Sequence, residues 1–157
     1  GLIGSLPRDG GEGDDAEHRD HLRMSAGAQG RRRATSGSPF EATFGFARAV
    51  REGNRIIVAG TGPVEPDGST TPGGAAEQAA RCCTIILAAI EELGGSAADV
   101  VRTRMLLTDP EDQDAVGAVH ARFFGAARPA ATMAGVAWLC RPEWRVEIEA
   151  EAVIPGE

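Results

Sequence analysis

The chain contains no lysine: all sixteen of its basic Lys/Arg positions are arginine. That excludes any mechanism built on a lysine Schiff base, ordinary pyridoxal-phosphate chemistry included. Tyrosine is absent as well, so no phenol can serve as acid or base. Aromatic residues make up only 4% of the sequence, which leaves the core to Ala, Val, Ile and Leu with five Phe and two Trp as anchors. No apolar run approaches the roughly 18 to 20 residues of a membrane helix. No basic-then-apolar leader pattern opens the chain. The expectation is a cytoplasmic protein with no membrane partner. Cysteine is scarce too: Cys82 and Cys83 are adjacent within a helical pattern, and Cys140 stands alone. Neighbouring helix positions point apart, and no Cys/His spacing suits zinc, so all three are expected to be buried, unbridged thiols packing as small hydrophobes. Basic charge is also short: the net charge of −7 argues against a nucleic-acid partner.

With 157 residues, one domain is expected. Residues 1–36 are rich in Gly, Ser, Asp and Arg and lack apolar periodicity, so a disordered extension is expected there and a folded domain over 37–157. Met24 offers a natural start, which would leave residues 1–23 as upstream sequence. His18 and His21 form an H-x-x-H too isolated to read as a metal site, and Arg31–Arg33 read as a solvated basic run.

Beyond Phe40 the pattern sharpens. Phe44, Phe46, Arg48 and Val50 alternate, Glu52-Gly53-Asn54 supplies a turn, and RIIVAG is strand-like, which predicts a hairpin. Ala79, Cys82, Cys83, Ile86, Ile90 and Leu93 recur at three- and four-residue spacing, a helix stopped by Gly94-Gly95. VVRTRMLLT predicts a strand with Val101, Thr103, Met105 and Leu107 on one face. A second helix follows, capped at Thr108 or Asp109 with Pro110 in its first turn and a stripe of Val116, Val119 and Phe123. ATMAGVAWL and WRVEIEAEAV complete the set. The last alternates strictly, with Trp144, Val146, Ile148, Ala150 and Ala152 inward and Arg145, Glu147, Glu149 and Glu151 outward. The order ββαβαββ predicts an α+β sandwich, one mixed sheet with two helices on one face. The opposite face, with Arg48, Arg102, Arg104, Glu147 and Glu149 beside Leu106, suits burial against another subunit.

RIIVAGT, AADVVRTRMLLTD, ARFFG, RPAATM and VEIEAEAV, in that order, resemble the reactive-intermediate deaminase (Rid, YjgF-type) family over about Ser38 to Val153. The resemblance implies a chorismate-mutase-like fold, a homotrimer with small-molecule ligands in clefts between subunits, and no cofactor. It implies hydrolysis of reactive enamines or imines such as 2-aminoacrylate to a carbonyl compound and ammonia. It also implies site residues: Glu147 as the catalytic carboxyl, and Gly60, Phe124, Ala131 and Thr132 at substrate-binding positions. At Ala131 the chain departs from the family. Pro129-Ala130-Ala131-Thr132 stands where the family carries P-A-R-[ST], whose arginine clamps the substrate carboxylate as a bidentate donor. Met133 replaces the family cysteine. The missing clamp implies a changed substrate or weakened activity, with Arg104 or Arg128 as candidate replacements. A non-catalytic homotrimeric ligand-binding or regulatory module is the alternative. A nuclease, also associated with the family, fits poorly with the acidic charge and with His120 as the one histidine of the folded region.

Overall fold

The computed structural model describes residues 31–156. They form one six-stranded mixed sheet with two long helices on one face. The strands are β1 (Arg32–Ala34), β2 (Ala49–Glu52), β3 (Arg55–Thr61), β4 (Val100–Leu107), β5 (Ala130–Gly135) and β6 (Val146–Val153). The helices are α1 (Pro39–Phe44), α2 (Ala75–Glu92) and α3 (Gln113–Phe124). Sheet order is β1-β2-β3-β6-β4-β5, with β4–β5 parallel and the other pairs antiparallel. From β2 onward the order is the expected ββαβαββ. His18 and His21 lie outside the described residues. Among the described residues no cluster could hold a metal, and no helix is long and apolar enough to cross a membrane.

The core follows from the two periodicities. On α2, Ala79, Cys82, Cys83, Ile86 and Ile90 are buried; on β6, Val146, Ile148, Ala150 and Ala152 are buried in strict alternation. Val116, Val119 and Phe124 of α3 join the same core. Glu77 accepts the Gly74 N–H (2.9 Å) at the start of α2. At its end Gly94 adopts φ +92°, and the Gly95 N–H reaches the Ile90 carbonyl (2.9 Å). Arg51 Nη1 (2.7 Å) and Arg32 Nη2 (3.2 Å) both donate to the Leu93 carbonyl, placing cations at the negative end of the helix.

Three expectations are corrected. Ordered backbone reaches further toward the N-terminus than the 36/37 boundary: β1 pairs with β2, and Ala34 is buried. A run of arginines carries no strand signal by itself; its order comes from long-range pairing and from the Arg32–Leu93 contact. Residues 44–48 are not a strand. Ser38 accepts from the Phe40 N–H (3.3 Å), Pro39 occupies the first turn, and Gly45 closes α1 at φ +76°. This complete set of start and stop signals overrides the alternation of Phe44, Phe46 and Arg48. Val101 does not face the core with Thr103 and Met105. The register shifts between Val100 and Arg102, so Val100 is buried while Val101 is 45% exposed.

Candidate functional site

β3 and β6 run antiparallel, with Thr61 opposite Ile148 after a register shift beyond Val58. The shift brings the end of β3 against Glu147. Gly60 has no Cβ to obstruct the carboxylate; one placed there would lie 2.9 Å from Glu147 Oε2. Glu147 is half-buried. Burial pushes its carboxyl above the ordinary value of 4.5, the neighbouring Glu149 adds to the shift, and Arg48 opposes it.

Arg48 also meets Gly60, at its carbonyl, and lines the same cavity as this carboxyl. Its Nη1 donates to the Gly60 carbonyl (2.8 Å) and to Thr61 Oγ1 (2.9 Å). Thr61 in turn donates to the Ala59 carbonyl (2.8 Å). The guanidinium stacks 5.4 Å from the Phe46 ring centroid. Burial lowers its pKa, while Glu41 and Glu147 favour its charge. Glu41, in the first turn of α1, is itself buried and approaches Arg48 Nε at 3.8 Å. Burial raises the Glu41 pKa, but hydrogen bonds from Ser36, with Thr35 and Arg48 adding to them, more than offset this and hold it below its ordinary value.

Phe40, Phe46, Arg48, Gly60, Trp144 and Glu147 line one cavity that holds about 80 Å³ of space open to water-sized groups. Trp144 forms a wall. Its Nε1 donates to Thr70 Oγ1 (3.2 Å), and Phe40 meets it edge-on at 6.1 Å. Arg141 lies over both rings, 5.5 Å from Phe40 and 5.7 Å from Trp144. Cys140 also lines the cavity; contrary to the expectation of burial it is exposed, on the loop before Trp144, whereas Cys82 and Cys83 are buried on α2, and all three are free thiols. Burial pushes the Cys83 thiol up to about 12.

The structure therefore brings together Glu147 and Gly60 and adds Arg48, Phe40, Phe46 and Trp144, which the sequence reading had not assigned to a site. The signal for Arg48 was present: a lone cation among Phe44, Phe46 and the strand that follows. The remaining sequence-predicted residues lie elsewhere on the chain. Phe124 is fully buried against Phe123 and His120. His120 hydrogen-bonds Thr103 Oγ1 (2.7 Å), and burial lowers its pKa. Ala131 and Thr132 are exposed on the edge strand β5, paired in register with Thr103 and Arg104. Arg104 is half-exposed on the open face of the sheet, 3.5 Å from Glu149. Arg128 is exposed and holds a left-handed φ of 50° just before Pro129.

The comparisons with known proteins agree with this frame. The family model described as Endoribonuclease L-PSP matches residues 36–154. The Streptomyces coelicolor protein SCO2049 is 40% identical over 121 residues, 77% of this chain and 90% of that protein. A RutC family protein of Pyrococcus abyssi is 35% identical over 109 residues, 69% of this chain and 84% of its own length. Among solved structures, Rv2704 of Mycobacterium tuberculosis, a member of the YjgF/YER057c/UK114 family, superposes with a TM-score of 0.71 at 41% identity, covering 79% of this chain and 99% of that one. The YjgF gene product of Escherichia coli gives 0.68 at 33% identity, covering 76% and 95%. By sequence and by architecture alike, this chain belongs to the YjgF/Rid (L-PSP) family.

Proposed function

We propose that this protein is an enamine/imine deaminase that hydrolyses a reactive imine to a carbonyl compound and ammonia, with Glu147 as its acid–base group. One observation carries the proposal: a half-buried carboxyl, its pKa raised by burial, packed against a glycine in an aromatic-walled cavity. A carboxyl tuned toward neutrality can both accept and return a proton. In the first step Glu147 takes a proton from water as the oxygen adds to the imine carbon, forming a carbinolamine. In the second the carboxyl, having returned that proton to nitrogen in the carbinolamine, takes the hydroxyl proton and delivers it to nitrogen as the C–N bond breaks, so that ammonia leaves as the C=O forms. The balance is one imine and one water in, one carbonyl and one ammonia out. The sequence needs neither metal nor organic cofactor.

The proposal includes a homotrimeric assembly in a cytoplasmic setting, with ligand clefts between subunits. It is supported by the exposed edge of β5 and by Ile57 and Val101, each 45% exposed, on the surface of the sheet. Ala131 and Thr132, exposed on β5, enter such a cleft only through that assembly, whereas Phe124 stays in the core behind it. Ala131 leaves a methyl group at the family's clamp position, so the substrate is changed or turnover weakened relative to the family reaction. The same methyl favours the second reading, a non-catalytic trimeric ligand-binding or regulatory module.

A coupled assay separates the two. Ammonia and carbonyl release are followed with 2-aminoacrylate and with imines lacking a carboxylate. Acceleration of either class, reduced on the order of 100-fold or more in Glu147→Gln, is the expected outcome. No acceleration of any imine would leave the binding module standing.

A further inference from the structure

We propose that Arg48 is the anion anchor of this site, so that the cavity selects a small ligand with a carboxylate at the Arg48 end and its reacting nitrogen toward Glu147. The position of the second end rests on the deaminase reading; the first does not.

Arg48 is only 6% exposed. Burying a guanidinium to that degree is costly unless its donors are filled. Here they are only partly filled. Nη1 has two acceptors, but the buried Nε has no hydrogen-bond partner. Glu41, the nearest carboxylate, stands 3.8 Å from Nε, outside hydrogen-bond range, because both of its oxygens are engaged by Ser36. The Nε side of a guanidinium is one of the two edges through which arginine grips a carboxylate with a pair of parallel bonds. Arg145 uses that edge on Asp112 in this same chain, through Nε (2.9 Å) and Nη2 (3.0 Å). On Arg48 that edge faces Glu41 at 3.8 Å and makes no such pair of bonds.

The gap has a shape. Arg48 and Glu147 line the same cavity and each feels the other's charge, yet no ion pair closes between them. A cation and a carboxyl that both meet Gly60 without pairing with each other suit a ligand with complementary ends. The walls of Phe40, Phe46 and Trp144 keep the local dielectric low, which strengthens an anion's attraction to the guanidinium. Arg104, which faces Glu149 at 3.5 Å, lies outside this cavity.

The test measures binding, so it needs no turnover. Pyruvate and its neutral isostere pyruvamide are titrated against the full chain, read by ligand-observed NMR and by the Trp144 indole resonance. The expected result is that pyruvate binds on the order of 10- to 100-fold more tightly than pyruvamide. Arg48→Met abolishes that preference, and Arg104→Gln leaves it intact. Equal binding of the two probes by the unmodified protein overturns the proposal, whether or not Arg48→Met folds. So does loss of the preference in Arg104→Gln, or its retention in a folded Arg48→Met. Pyruvate preference without turnover of any imine refutes the deaminase reading while leaving the anchor in place.

Discussion

Replacing Gly60 with alanine separates the cost of crowding a stable fold from the cost of moving a working carboxyl. The backbone there lies outside the left-handed region, so alanine meets no φ penalty. The new methyl would lie 2.9 Å from Glu147 Oε2 and 3.1 Å from Cδ, and something must move. What moves is the end of a flexible, half-buried side chain, so the stability loss should fall at or below the low end of the about 1–3 kcal/mol typical of overpacking. A displacement approaching 1 Å at a positioned catalytic group is worth on the order of 100-fold in rate. Gly62→Ala is the contrasting case. Its methyl would come within 2.5 and 2.7 Å of Trp144 Cζ3 and Cζ2, atoms of a rigid, buried indole that cannot swing aside. That variant should lose the full about 1–3 kcal/mol, a few °C in Tm per kcal/mol. Thermal melts and kcat/KM on the best imine substrate, measured on both variants, decide the matter. A Gly60→Ala protein with unchanged kcat/KM would refute the placement of Glu147 as the working carboxyl.

Glu147→Gln should stabilise the protein at neutral pH. The folded carboxyl holds its proton to a higher pH than the unfolded one, whose ordinary value is 4.5, so wild-type stability falls as pH rises from that value through the raised folded pKa. Urea unfolding from pH 4 to 8 should show the two proteins converging at the acid end and diverging above it; divergence in the opposite sense would contradict the burial effect. If the ionised carboxyl is the base, kcat/KM should rise with pH along an acid limb centred above 4.5. Gly94→Ala places a side chain at φ +92° and a methyl 2.7 Å from Arg51 Nη1, so a loss of about 1–2 kcal/mol is expected in urea unfolding. Ala131→Arg sits on an exposed edge and should leave Tm essentially unchanged; in the same pyruvate titration it should add carboxylate affinity if the family's cleft assembles around that position.

The elements legible in the sequence are those whose order is local. α2 and β6 announce themselves by period alone, and α3 by the 3-10 turn Pro110–Asp112 that leads into it, whose Asp109 cap accepts the Glu111 N–H at 2.9 Å. β1 was not legible, because nothing in Arg32–Ala34 favours a strand until β2 and the end of α2 are in place. α1 was hidden by an accidental alternation running through its last residue, although Ser38, Pro39 and Gly45 spelled out both of its ends. The bulge at Val101 is a matter of register between strands some 50 residues apart, which no single-strand pattern encodes. The site divides in the same way. Glu147 and Gly60 were named from a family pattern, and β3–β6 pairing joins them. Arg48 and Trp144 are 96 positions apart, and only the closed fold makes them walls of one cavity.

The two rims of the sheet are built differently. The β1 rim is three residues long and carries Arg32 and Arg33, which discourage another strand from docking. The β5 rim presents six residues, Ala-Ala-Thr-Met-Ala-Gly, without a charge among them. A sheet with one guarded rim and one open rim accepts strand addition on a single side. Two copies that met through β5 would present only arginine-bearing β1 rims outward. The chain can complete its sheet with a neighbour without offering the continuous edge-to-edge stacking from which fibres grow.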